Sequence, residues 1–218
     1  MTWEEAQDIV QALAPRQYYA EEYRVGEKYY LPELTEYLKK ECAPGQDVLE
    51  IGPGWGTTDV WMAAFGLKVT VIDVMPIGEF IRPALLELMR VRYIQQNIEE
   101  KAPEIGMFSL VVCTQVIMHL KYRPDTALRN IAKMMTPDAK LIVSVLDKHQ
   151  CSDTGPFGFK WWEIPEYGKA TPTPNIITCM YNRETFEGLL SSVFNSVRVW
   201  VPKGALVLFA ECSNAKSL

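Results

Sequence analysis

Long hydrophobic runs are missing from this chain of 218 residues. No stretch approaches the roughly 20 consecutive apolar residues that a helix needs to cross a bilayer. Paired cysteines are missing too. Cys42, Cys113, Cys151, Cys179 and Cys212 are odd in number, far apart and never spaced C-x-x-C, which argues against a disulfide framework or a zinc site. Positive charge is not in excess: 22 Lys and Arg stand against 27 Asp and Glu, a formal net charge of -5 with a pI near 5.2. An affinity resting mainly on phosphate contacts needs the opposite balance. The opening MTWEEAQDIVQALAPRQYY carries acids where a secretory leader carries bases, and no apolar run follows them. Internal repeats and charge blocks are absent. These absences lead to the expectation of a reduced, cytoplasmic protein with neither nucleic acid nor membrane as partner.

What is present is an ordinary globular composition, 48% apolar and 22% charged, in a length that suits one domain. The first 43 residues read as helical: Trp3–Leu13, then Gln17 to Cys42 with interruptions at Gly26 and Pro32. From residue 45 to 147, apolar runs and helical stretches alternate. The expected strands are Val48–Ile51, Val69–Val74, Tyr93–Gln95, Ser109–Thr114 and Ala139–Leu146. The expected helices are Thr57–Phe65, Ile77–Val91 and Pro124–Met135. Such alternation implies β-α-β units around a mostly parallel sheet, and continuous apolar runs suit strands buried on both faces. Residues 148–177 form a long loop rich in glycine, proline and aromatics. Beyond it, Arg183–Phe194 reads as a helix with Asn182 as N-cap. Val197–Val201 and Ala205–Glu211, joined by Pro202-Lys203-Gly204, read as an antiparallel hairpin, so that 182–211 makes a helix and hairpin.

The most informative segment is Val48-Leu49-Glu50-Ile51-Gly52-Pro53-Gly54-Trp55-Gly56-Thr57, a strand that runs through alternating glycines into a helix. Glycines at such a turn admit unusual dihedrals and let a ligand approach the main chain. Thr57 stands where a dinucleotide fingerprint expects Gly or Ala, and no Gly-Lys-Ser/Thr follows, so a P-loop is excluded. Asp73 ends the next strand, 17 residues after Gly56, where a carboxylate can accept hydrogen bonds from two ribose hydroxyls. Glu50 lies near a buried strand end, and an unpaired carboxylate there is costly without a cationic partner.

With these residues in view, the chain resembles the class I S-adenosylmethionine-dependent methyltransferases over roughly residues 45–147. VLEIGPGWG looks like that family's first motif. The resemblance implies that Gly52, Gly54 and Gly56 pack against the methionine moiety and that Glu50 helps orient its amino group. VIDV looks like the second motif, which implies Asp73 on the ribose with Val74 and Met75 beside the adenine. YIQQNIE resembles the segment that meets the adenine amine. Asn97 takes the position of the usual Asp, and its amide oxygen still accepts; Ile98 supplies a flanking backbone contact. FSLVVCTQVIMHL resembles the fourth motif, and MTPDAKLIVSV replaces the usual glycine-rich turn with Pro137-Asp138-Ala139. The implied fold is α/β: a Rossmann-like, doubly wound, mostly parallel seven-stranded sheet with an antiparallel C-terminal hairpin. A helical N-terminal cover precedes it, all within a single domain spanning 1–218. The implied cofactor is S-adenosyl-L-methionine, leaving S-adenosyl-L-homocysteine as product.

Methyl transfer from a sulfonium is an in-line displacement, so alignment and exclusion of water dominate, and a base is needed only where the acceptor must lose a proton. Thr114 and Gln115 end the fourth strand beside the expected methyl position. His119 lies four residues after Gln115, which would put both on one helical face. His119, Asp147 and His149 are the candidate bases. No Asn/Asp-Pro-Pro-Tyr loop and no Pro-Cys nucleophile is present, which argues against methylation of nucleic-acid bases. Only Asp147 is placed for a catechol-type metal site, so no metal is expected. Tyr19 and Tyr23 in the N-terminal helices, and Trp161 and Trp162 in the long loop, are the expected substrate lid, although such rings also serve as plain core. The expected partner is a small-molecule acceptor, and the expected state a monomer or homodimer. A protein or RNA acceptor, or a nucleotide-binding protein of this fold without catalysis, are the competing readings.

Overall fold

The computed structural model describes residues 1–13, 24, 26–79, 81–120, 123–148 and 180–216. The expected lid residues Tyr19, Tyr23, Trp161 and Trp162, and the candidate base His149, lie outside the described residues. The chain divides into two compact units, Met1–Asn97 and Ile98–Leu218.

The first unit holds α1 (Trp3–Leu13), α2 (Leu31–Glu41), β1 (Asp47–Ile51), α3 (Thr57–Ala64), β2 (Lys68–Asp73), α4 (Pro83–Met89) and β3 (Arg92–Gln95). β1, β2 and β3 are parallel, with Glu50 opposite Val71 and Asp73 opposite Gln95. Val48, Leu49 and Ile51 of β1 and Val71 and Ile72 of β2 are buried, as strands covered on both faces require. Pro32, expected to interrupt a helix, instead sits in the first turn of α2, where its missing N–H costs nothing. The helix expected over Ile77–Val91 begins only at Pro83. Arg82 before it is extended, at ψ 136°, because the proline ring disfavours helical backbone at the preceding residue.

The second unit holds β4 (Phe108–Thr114), a single 3₁₀ turn (Ile117–His119), α5 (Pro124–Ala132), β5 (Met135–Leu146), α6 (Arg183–Ser191), β6 (Phe194–Trp200) and β7 (Val207–Ala215). β4 and β5 are parallel, while β7 runs antiparallel to both β5 and β6. The expected hairpin is present, with longer strands and a connection at 201–206. Pro137-Asp138-Ala139 falls within β5 rather than before it. Pairing slips there, from Phe108 opposite Met135 to Leu110 opposite Lys140, because proline cannot donate to the ladder and is tolerated at such a bulge. Asn182 caps α6 as expected: its Oδ1 accepts from the Thr185 N–H at 2.8 Å, and its own N–H donates to Thr185 Oγ1 at 3.1 Å. The strand order is β3-β2-β1-β4-β5-β7-β6, the mixed seven-stranded, Rossmann-like arrangement expected. No helix among the described residues is long and apolar enough to cross a membrane.

Candidate functional site

In the first unit, the turn from β1 to α3 is made by Gly52, Gly54 and Gly56, all at positive φ (67°, 56° and 88°). The Gly52 N–H donates to the Ile72 carbonyl at 2.8 Å and the Gly56 N–H to the Pro53 carbonyl at 3.0 Å, fixing the loop against β2. The outer two glycines of Gly54-Trp55-Gly56 have different surroundings. A Cβ on Gly56 would lie 2.7 Å from Ile81 Cδ1 and 3.2 Å from Leu85 Cδ2, whereas one on Gly54 would meet no atom within 4 Å. Gly56 is therefore required by its backbone at φ 88°, with the Ile81 and Leu85 side chains close against it. Gly54 faces open space, where a side chain would project away from the loop. No side chain caps the start of α3.

Asp73 closes β2. Its Oδ1 accepts from the Met75 N–H at 2.8 Å, and its backbone carbonyl accepts from the Gln96 N–H at 2.8 Å. Burial raises its carboxyl above the ordinary range, and the Met75 and Val74 N–H groups pull it back. The backbone after it is held by the Tyr93 hydroxyl, which donates to the Met75 carbonyl at 2.8 Å, and by the Gln95 amide on the Val74 carbonyl. Val74 and Ile77 are 58% and 50% exposed, an open apolar ledge beside a half-buried carboxylate. The Asn97 carbonyl accepts from Gln96 Nε2.

Glu50 in β1 and Asp59 in α3, on either side of the glycine loop in the chain, are two carboxyl groups with no cation acting on them among the described residues. Glu50 is 2% and Asp59 is 1% exposed. Glu50 Oε2 and both oxygens of Asp59 have no hydrogen-bond donor among the described residues. Burial first, then the neighbouring Asp59, raises Glu50 well above the carboxylate range, and the Thr58 hydroxyl offsets part of this. Asp59 is pushed up to about 6 by burial and by Asp73, with the neighbouring Glu50 carboxyl working the other way. Glu50 was legible in the sequence; Asp59 was missed. The available signal was a single acid in an α3 otherwise without charge, TTDVWMAA, whose first six residues are all buried. Tyr93 carried no signal beyond its place on a weak strand.

In the second unit, Thr114 ends β4, buried and opposite Ser144 of β5. Gln115 follows at φ 59°. Its N–H donates to the Ser144 carbonyl and its Nε2 to Ser144 Oγ, both at 2.9 Å. It thus stands outside the 3₁₀ turn that ends at His119, and the expected shared helical face of Gln115 and His119 is not formed. Left-handed backbone at Gln115 breaks the register that i,i+4 spacing assumes. His119 is half-buried. Asp147 is buried, and its N–H donates to the Leu206 carbonyl. The Ile98 carbonyl accepts from Asn130 Nδ2 at 2.8 Å.

Open space at Gly54, a half-buried carboxylate closing β2, an exposed apolar stretch after it and buried acids without a cation among the described residues suit a ligand with a nucleoside and a positively charged tail. Comparison with known proteins agrees. A family model described as a methyltransferase domain matches residues 19–193. Curated relatives include the ubiquinone biosynthesis O-methyltransferase of Xanthomonas axonopodis pv. citri, 32% identical over 123 residues, or 54% of this chain and 50% of that protein. Its counterpart in Xanthomonas oryzae pv. oryzae is 33% identical over 109 residues, 48% of this chain and 44% of that one. The chain thus spans about half the length of the curated relatives it matches. Among solved structures, the DhpI–SAH complex superposes with TM-score 0.67 at 15% identity over 99% of this chain and 98% of that one. Magnesium protoporphyrin IX methyltransferase (ChlM) from Synechocystis PCC 6803 with bound SAH gives 0.60 at 14% over 98% and 94%. A β-α-β glycine turn with an acid closing the second strand, and a domain match over most of the chain, place this protein in the class I S-adenosylmethionine-dependent methyltransferase family.

Proposed function

We propose that the protein transfers a methyl group from S-adenosyl-L-methionine to a hydroxyl oxygen of a small-molecule acceptor. The observation that carries the cofactor half is the open space at Gly54 followed by Asp73, whose carboxylate is steadied by the Met75 N–H. The acceptor half rests on the names of the curated relatives, which are O-methyltransferases. The chemistry supplied by the bound cofactor is an electrophilic methyl on a sulfonium.

The chain's own residues then have separable roles. Asp73 accepts from the ribose hydroxyls, and Val74 and Met75 give the adenine an apolar ledge. The Asn97 amide oxygen accepts from the adenine amine, and Ile98 offers its N–H. Gly52, Gly54 and Gly56 let the amino-acid tail lie against the main chain, and Glu50 answers its ammonium. Gln115, tied to Ser144, and Thr114 are proposed for the methyl side. An oxygen acceptor must shed a proton, for which His119 is the proposed base, with Asp147 and His149 as alternatives. Tyr19, Tyr23, Trp161 and Trp162 are proposed as the cover that excludes water.

Incubation with methyl-labelled cofactor and a panel of small phenols, catechols and amines tests this. The proposal expects label in ethers extracted from the hydroxylated acceptors, and loss of that label without loss of cofactor binding in His119→Ala. Label found only in amines, or only in precipitated protein, would contradict it.

A further inference from the structure

We propose that Glu50 and Asp59 hold one proton between them in the ligand-free site, and that docking of the cofactor's ammonium expels it, making Asp59 a positioning residue for cofactor binding. This rests on the family's cofactor occupying the glycine turn. Two ionised carboxylates are acceptors only, and Glu50 Oε2 and both Asp59 oxygens find no donor among the described residues. A proton on Glu50 supplies the missing donor, directed to Asp59, and removes one of two buried charges. Among the described residues the charged and titratable groups that act on the pair are Asp73 from β2 and Tyr93 from β3, neither of them a cation. Thr58 in α3 adds one hydroxyl toward Glu50. No three His, Cys, Asp or Glu side chains among the described residues converge as metal ligands.

The arrangement stores a charge deficit. A buried acid pair is tolerable with its proton and costly without it, unless a cation arrives. When an ammonium docks at Glu50, the positive charge takes over the proton's role and the proton leaves to solvent. The direction of the two shifts agrees: burial raises both carboxyls, Asp59 adding to the rise at Glu50 and Asp73 to that at Asp59, which reaches about 6, so the pair still holds a proton near neutral pH. Affinity for any ligand bearing that ammonium then rises with pH, by up to about tenfold per unit while one whole proton is released, and levels off once the free pair is ionised.

Isothermal calorimetry with S-adenosylhomocysteine, in buffers of differing ionisation enthalpy between pH 5.5 and 8.5, reads the released proton directly. The expected result is release of a large fraction of one proton near pH 6.5, falling towards zero at high pH. 5′-Methylthioadenosine, which keeps the nucleoside and lacks the ammonium, should bind with no release. Asp59→Asn should move the release to lower pH, because Glu50 then loses the neighbouring carboxylate and is raised mainly by burial. S-Adenosylhomocysteine binding with the same affinity at every pH and no proton release overturns the proposal while leaving the cofactor assignment intact. Equal release with methylthioadenosine overturns it as well. Absence of any binding by S-adenosylhomocysteine removes the cofactor assignment and the proposal together. The wild-type profile decides the matter even where Asp59→Asn fails to fold.

Discussion

Glycines that look alike in sequence do different things here, and substitution separates them. Gly56→Ala places a methyl 2.7 Å from Ile81 at a residue held at φ 88°. Backbone strain and overpacking then add, and a loss of about 2–4 kcal/mol is expected, read as a lower thermal midpoint without ligand. Gly54→Ala has room for its Cβ but sits at φ 56°, so about 1 kcal/mol of stability should go. Its larger effect should be on cofactor affinity, since the methyl enters that open space. If Gly54→Ala binds S-adenosylhomocysteine as well as wild type does, that space is not where the cofactor lies. Glu50, the three glycines and Asp73 were readable because a strand, a turn and a second strand fix their spacing. Asp59 was not, because its importance comes from which way a buried helix faces, and that depends on α3 being covered nearly all round.

At the scale of the element, local chemistry decided where the reading succeeded. α6 starts where Asn182 makes a reciprocal cap with Thr185, and Asn182→Ala should cost about 1 kcal/mol, measurable by denaturant unfolding. The strand cores of β1, β2 and β4 were legible from continuous apolar runs. Two prolines misled in opposite directions: Pro32 opens a helix it was expected to interrupt, and Pro83 starts a helix expected to begin at Ile77. β5 extends through Pro137-Asp138, where a turn had been expected. A bulge absorbs the proline there, and bulges arise from pairing with a neighbour strand that local sequence does not display. The Gln115–His119 pairing failed for a similar reason, since a single left-handed residue resets the periodicity.

For the molecule as a whole, the buried acids set how stability follows pH. Both carboxyls are raised on folding, so their protonated forms favour the native state. For Asp59 that contribution is complete below about pH 4 and is lost as pH climbs through about 6; for Glu50, also raised by burial, the loss likewise comes above the ordinary carboxylate range. Holding Asp59 ionised after moving it from 3.8 to about 6 costs the ligand-free protein on the order of 3 kcal/mol at pH 8. Asp59→Asn should therefore raise the ligand-free thermal midpoint at pH 8 and leave it nearly unchanged at pH 4. A midpoint that falls equally at both would show that Asp59 serves packing alone. A ligand that brings its own cation should return the lost stability, in proportion to its excess over Kd.

Calorimetric titration of wild type and Asp73→Ala with S-adenosylhomocysteine and NAD tests most directly whether the glycine turn and Asp73 form the adenosyl site. Wild type should bind S-adenosylhomocysteine with NAD far weaker, and a folded Asp73→Ala should lose about 2 kcal/mol or more of that affinity, since hydrogen bonds to a charged acceptor are removed. NAD binding as tightly as S-adenosylhomocysteine, or unchanged affinity in Asp73→Ala with a native circular dichroism spectrum, would contradict the account.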